Sequence, residues 1–253
     1  MTNEQNEKIF SKFEGDSFKF RCHKDISCFN ECCAKLKLVL TPYDVLRLKN
    51  RLGLSSEEFI DKYTETTFEK PRRFPIVLLK MADNEKQSCP FVSPEGCTIY
   101  ADRPGACRIY PLGRATKAIT GNDNTVEEEF FVVKEKHCRG FEEEKTRSKA
   151  EWMQGEGLEE YNEVNDKWLS IITSNKGMGD ESAILKKTQM YFMACYNLEK
   201  FKAFIFKSSF FGHFDVSDDE KEQIAQSEKA LLLFALNWLR FSLFGEQTIR
   251  IKC

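Results

Sequence analysis

The chain has 253 residues, 41% of them hydrophobic, with 38 Lys and Arg against 40 Asp and Glu. That length can bury a real core as one large or two small domains without covalent staples. The charge balance, with acidic triplets at Glu127–Glu129 and Glu142–Glu144, argues against a nucleic-acid-binding field, and the most apolar run, ALLLFALNWLRFSLFG from Ala230 to Gly245, is too short for a membrane span and is broken by Asn237 and Arg240.

The opening MTNEQNEKIF is polar and lacks the basic and apolar regions of a secretory signal, so a cytoplasmic, reducing location is expected. CHKDISCFNECC then places four thiols within twelve residues. In LTPYDVLRLKNRLG, Thr41 is a fitting N-cap, Pro42 suits the first helical position and Gly53 is a stop. SSEEFIDKYTE follows with Ser55 and Glu58 at capping-box spacing, which predicts a second short helix. After Pro71 and Pro75, IVLLKM (76–81) reads as a strand, and LGRATKAIT with EEEFFVVKE flank a GNDN turn (121–124) as a β-hairpin. From Arg147 onward the pattern predicts long helices over about 148–174, 185–206 and 218–244, with a break at SNKGMGD. The expected fold is α+β and helix-rich: a cysteine-rich region over 1–146 with short strands and a hairpin, and a helical region over 147–253 packed against it.

Eight of the ten cysteines fall between Cys22 and Cys138: Cys22, Cys28, Cys32, Cys33, Cys89, Cys97, Cys107 and Cys138. In a reducing compartment such a group points to a metal or to redox chemistry rather than to structural disulfides. Cys195, in YFMACYNL, follows a helical apolar pattern and reads as a small core residue, and Cys253 is terminal. Eight thiolates are enough for two four-coordinate zinc sites, yet the spacings C-x5-C-x3-C-C and C-x7-C-x9-C contain no C-x2-C knuckle and leave the assignment open. Iron–sulfur ligation is the main competitor, although the ferredoxin run is absent. Adjacent Cys32 and Cys33 are expected to turn their side chains apart and so to serve different ions, or one of them to bridge two. His23 and His137 stand beside clustered cysteines and read more simply as solvated histidines. Arg103 and Arg108 are candidates for countering thiolate charge, with Pro104 and Gly105 shaping the backbone before Cys107.

The motif order FRCHKDISCFNECC, LTPYDVLRL, CPF, GCTIYADRPGACRIYPLG and HCRGF resembles the YkgJ-type cysteine-cluster family, described as zinc- or iron-chelating. The likeness runs on through LEEYNEVNDKW, YNLEKFKAFIF and LLLFALNWLRFSLFG. It implies that Cys22, Cys28, Cys32, Cys33, Cys89, Cys97, Cys107 and Cys138 are the chelators of zinc or iron, an iron–sulfur centre included. The opening C-x5-C is wider than the C-x2-C of some relatives. One related group is associated with flagellin lysine N-methylation, which implies a protein- or peptide-modifying enzyme as the alternative function. The residues lend that reading little: there is no G-x-G-x-x-G after a strand and no C-x3-C-x2-C run. A third reading is an interaction scaffold in which the phenylalanine-rich helices hold a protein partner, although such stripes are usually helix–helix core.

Overall fold

The computed structural model describes residues 9–68, 73–118 and 126–252. In chain order the strands are β1 (Phe10–Lys12), β2 (Ser17–Lys19), β3 (Val39–Leu40), β4 (Thr64–Thr67), β5 (Ile76–Leu79), β6 (Val92–Ser93), β7 (Gly96–Cys97), β8 (Leu112–Ala118), β9 (Val126–Val133) and β10 (Thr146–Ser148). The helices are α1 (Pro42–Leu52), α2 (Ser56–Tyr63), α3 (Gly105–Ile109), α4 (Lys149–Gly155), α5 (Leu158–Ile172), α6 (Glu181–Tyr196), α7 (Leu198–Lys207), α8 (Phe210–His213), α9 (Asp218–Gln226) and α10 (Glu228–Phe244). The fold is α+β, with small antiparallel sheets beside the helices.

Local signals fix the ends of α1 and α2. Thr41 accepts from the Asp44 backbone N–H while the Asp44 carboxylate accepts from Thr41, Pro42 opens the helix, and Gly53 closes it at φ 66°. Ser55 and Glu58 form the same reciprocal box on α2. Each long helix expected from periodicity is instead a pair. Gly157 at φ 62° lies between α4 and α5, where a left-handed residue ends one helix. Asn197 and Ser227 each accept a backbone N–H from three residues further on, so they start α7 and α10 afresh.

The chain divides into two compact units that are discontinuous in sequence: Met1–Leu38 with Lys80–Asn162, and Val39–Leu79 with Glu163–Cys253. The first contains the sheet β1-β9-β8, the ribbon β10-β2 and the β6-β7 hairpin. The expected β8–β9 hairpin is present, with Leu112 opposite Val132 and Arg114 opposite Phe130; its GNDN turn lies outside the described residues. At Gly113 a side chain would collide with the Phe131 ring, which covers the opposite strand at that point.

The second unit holds the sheet β3-β5-β4 and most of the helices. Its expected strand ends at Leu79, two residues early. The phenylalanine stripe is core only in part: Phe201 and Phe210 are buried, Phe204 and Phe206 are exposed, and Phe201 and Phe204 pack on Trp238 at 5.4 and 5.6 Å. Cys195 is 1% exposed, as its apolar pattern predicts. A charged side chain is buried here as well. Lys49 lies 2.6 Å from Glu228 and 3.1 Å from Glu199, which gives its ammonium two carboxylates in place of water.

The two units differ in how they are filled. Among the described residues, eight buried apolar side chains belong to the first unit and thirty-two to the second, although the two are of similar length.

Candidate metal centre

The segment from Cys22 to Cys33 has no regular secondary structure until a 3-10 turn at Glu31–Cys33, and successive turns shape it. Backbone N–H groups of Ile26, Phe29, Glu31 and Cys33 each donate to the carbonyl three residues back. Asn30 adopts φ 69°, a conformation that asparagine tolerates better than most residues, and its amide donates to the Ser93 carbonyl at 2.9 Å.

Main-chain bonds tie the distant cysteine segments together. The Cys89 N–H donates to the Cys33 carbonyl at 2.7 Å, and Ala34 bridges Ser88. Arg21 donates to Gly140 at 3.0 Å, which brings the Cys138 turn beside Cys22. The Arg139 N–H points at the Cys28 sulfur, 3.2 Å away, a donor suited to a thiolate. Cys97 ends the β6-β7 hairpin opposite Val92, and Cys107 is carried half-buried on α3, next to Arg108.

The Cys32 and Cys33 sulfurs stand 4.0 Å apart, so the two side chains turn toward one another and not in different directions as expected. Two thiolates on one tetrahedral zinc, each about 2.3 Å from the ion, lie roughly 3.8 Å apart. The separation of the pair is close to that spacing.

Electrostatic coupling shows which thiols share a neighbourhood. Burial pushes the Cys22 thiol up to about 11, with Cys32, Cys28 and Cys138 adding to the rise and Arg103 opposing it. The Cys33 contact, then burial and the Cys33 charge, hold Cys32 far above the ordinary thiol range. Burial likewise raises Cys89, Cys97 and Cys138, and each of the three also feels Cys32. Backbone N–H groups of Phe91, Ile99 and Gly140 offset part of the rise on these sulfurs. Cys32 is thus the common neighbour of Cys22, Cys33, Cys89, Cys97 and Cys138. Among the described residues, no group of three or more His, Cys, Asp or Glu side chains is already drawn together tightly enough to hold an ion. Neutral thiols have no attraction that would draw them so close, and their proton loss is coupled to metal binding.

The surroundings fit thiolate ligands. Arg103 is 8% exposed, pairs with Glu156, lies 3.7 Å over the Tyr100 ring and lowers both Cys22 and Cys97. Arg108, 9% exposed, donates to the carbonyls of Arg103, Glu156 and Ala101 and holds the α3 turn. Both arginines are structural groups of the cysteine unit, and Arg103 also supplies positive potential. Among the described residues of the unit, three buried side-chain polar atoms lack a partner at ordinary hydrogen-bond distance: His23 Nε2, 3.5 Å from Glu143, the Tyr110 hydroxyl and Arg147 Nε. Tyr110 faces Cys138, Glu135 and Cys32. Sequence reasoning missed Tyr110; its signal was its place in CRIYP, three residues after Cys107. Soft donors, half-burial, N–H groups aimed at sulfur and one nearby cation together suit zinc or iron.

Residues 21–139 match the family model CxxCxxCC, described as "Putative zinc- or iron-chelating domain". The chain is similar to that family over this region. The match begins one residue before Cys22 and ends one residue after Cys138, so it spans all eight clustered cysteines. The motif in the domain's name is loosened here to C-x5-C-x3-C-C. No curated protein and no solved structure matches the chain.

Proposed function

We propose that the protein binds zinc or iron through Cys22, Cys28, Cys32, Cys33, Cys89, Cys97, Cys107 and Cys138, and that the bound metal holds the cysteine unit together. The observation that carries this reading is the contrast in filling. A unit with eight buried apolar side chains has little hydrophobic stabilisation of its own, whereas one with thirty-two needs no help. Small cores of this kind are commonly completed by metal or disulfide, and the described cysteines here are thiols.

Bound zinc or iron would supply crosslinks between segments that are far apart in sequence. The chain's part is to gather the sulfurs around Cys32, to aim N–H groups of Arg139 and Gly140 at Cys28 and Cys138, and to set Arg103 against the accumulated negative charge. Thiols in this state fit a reducing compartment such as the cytoplasm.

Elemental analysis and an absorption spectrum of anaerobically purified protein test the proposal. One to three zinc or iron ions per chain are expected. A colourless zinc protein is distinguished from an iron–sulfur centre, which absorbs in the visible and bleaches on reduction. A folded, metal-free protein from a reducing preparation, with all eight thiols open to titration, would refute it.

A further inference from the structure

A groove of about 430 Å³ lies in the second unit, lined by α2, the second half of α6, the start of α7 and Pro75. On α6, Leu185, Gln189, Phe192, Met193 and Tyr196 fall on one helical face. Tyr196 is buried, with its hydroxyl donating to the Leu40 carbonyl at 3.3 Å, but Phe192 and Met193 are half-buried and Leu185 is 63% exposed. Ile60 on α2 is half-buried as well and lines the same groove. The described residues thus leave an apolar floor open in a unit whose core is otherwise well filled. Two carboxylates and one ammonium also line it. Glu57 pairs with Lys200 at 3.1 Å, whereas Asp61, one turn further along α2, is exposed and its carboxylate has no ion pair or hydrogen bond among the described residues. One negative charge is therefore left uncompensated beside the apolar floor.

We propose that this groove is a binding site for a small organic cation, an ammonium carried on an aromatic or branched apolar body, with the apolar part on Ile60, Phe192 and Met193 and the ammonium beside Asp61. The volume and the make-up, a mostly apolar surface with a few polar groups, are those of small-molecule sites. The lining contains no strand edge, so an extended peptide would find no main-chain ladder there. An anion would be repelled by Asp61, and a neutral apolar molecule would gain only the floor. Phe192 adds an aromatic ring, whose face attracts cations. Met193 adapts its shape to different apolar bodies, so the site selects charge and size more than outline. The groove lies in the second unit and does not depend on the metal reading, so either can fail without the other.

The test titrates the full chain, as purified, with phenethylammonium and in parallel with phenethyl alcohol and hydrocinnamate, which have nearly the same shape but no charge or the opposite one. Calorimetry and the methyl resonance of Met193, assigned by Met193→Leu, report binding. Phenethylammonium is expected to bind about 2–5-fold more tightly than the alcohol, the gain an exposed ion pair gives, and hydrocinnamate more weakly than either. Asp61→Asn, at an exposed position, should bring the cation down to the affinity of the alcohol and leave the alcohol unchanged, and added salt should act the same way. Gln189→Trp, also at an exposed position, should fill the groove and remove the Met193 response to both. Absence of saturable binding, a preference for the cation that survives Asp61→Asn, or binding that leaves Met193 unmoved would overturn the proposal. So would dimerisation that shifts Met193 without any probe, which would give the groove to a second copy of the chain.

Discussion

Cys32→Ser is the most informative single change, because Cys32 is the neighbour shared by Cys22, Cys33, Cys89, Cys97 and Cys138. The 4.0 Å separation from Cys33 is within about 0.2 Å of the sulfur spacing on one tetrahedral zinc, so losing Cys32 removes a ligand that needs little movement to bind. Structural zinc contributes about 10–16 kcal/mol over four ligands, or roughly 3 kcal/mol each, which predicts a loss of about 100-fold in affinity. Cys195→Ser is the matched control. Its sulfur is 1% exposed among apolar helices, where a hydroxyl without a partner costs about 1–3 kcal/mol. The two variants should therefore fail differently: Cys32→Ser loses metal while its metal-free form melts near wild type, and Cys195→Ser keeps metal but melts earlier. Chelator competition and thermal unfolding, each with and without metal, read both. Full affinity in Cys32→Ser, or equal metal loss in the two variants, would refute the reasoning.

Stripping metal with a chelator should lower hydrogen-exchange protection mainly in residues 20–38 and 80–148, while α1, α6, α7 and α10 retain theirs; uniform loss along the chain would show that the units unfold as one. Gly140→Ala would set a methyl 2.5 Å from the buried Phe20 ring and 3.0 Å from the Arg21 carbonyl, so we expect a loss of about 1–3 kcal/mol in denaturant stability together with weaker metal binding, and an unchanged midpoint would count against it. Lys49→Met should cost about 1–3 kcal/mol, less than a fully buried pair, because Glu199 and Glu228 are 46% and 38% exposed and water can take over from the ammonium. Burial acts to raise the Glu199 carboxyl, but bonds from Ser56, its own backbone N–H and Lys49 bring it below the usual 4.5. Its contribution is thus complete above 4.5 and lost as pH falls through the lower folded value, and the acid limb of the stability profile should be shallower in Lys49→Met.

Short-range chemistry was legible in the sequence, and long-range pairing was not. Thr41, Pro42, Gly53, Ser55 and Glu58 act within one helical turn, so α1 and α2 could be placed from residue type alone. The breaks at Asn197 and Ser227 were hidden because apolar periodicity runs through them, and neither residue is a helix breaker unless its side chain caps the next helix. β1 and β2 are three residues each and exist through their partners β9 and β10, which no local pattern reveals. At the candidate site, the crowding of thiols was plain from spacing. The facing of Cys32 and Cys33 depended instead on the turn set by Asn30, whose positive φ is not written in its residue type.

The order of the proposed ligands along the chain gives a physical reason why a metal would suit this unit. Between Cys33 and Cys89 the chain leaves the cysteine unit at Leu38, builds β3, α1, α2, β4 and β5 in the other unit, and returns at Lys80. Bonds such as Cys89 N–H to Cys33 O and Arg21 N–H to Gly140 O must each close a long loop, and one main-chain hydrogen bond is a modest return for that entropy. With eight buried apolar side chains, the unit has little else to set against the cost. Metal–thiolate bonds linking the 22–33, 89–107 and 138 segments would act where the loops are longest and the core thinnest, and a crosslink stabilises most under those conditions. The same reasoning accounts for half-buried cysteines in a chain long enough to fold without staples. The chain as a whole has a sufficient core, but the described residues place most of it in the other unit.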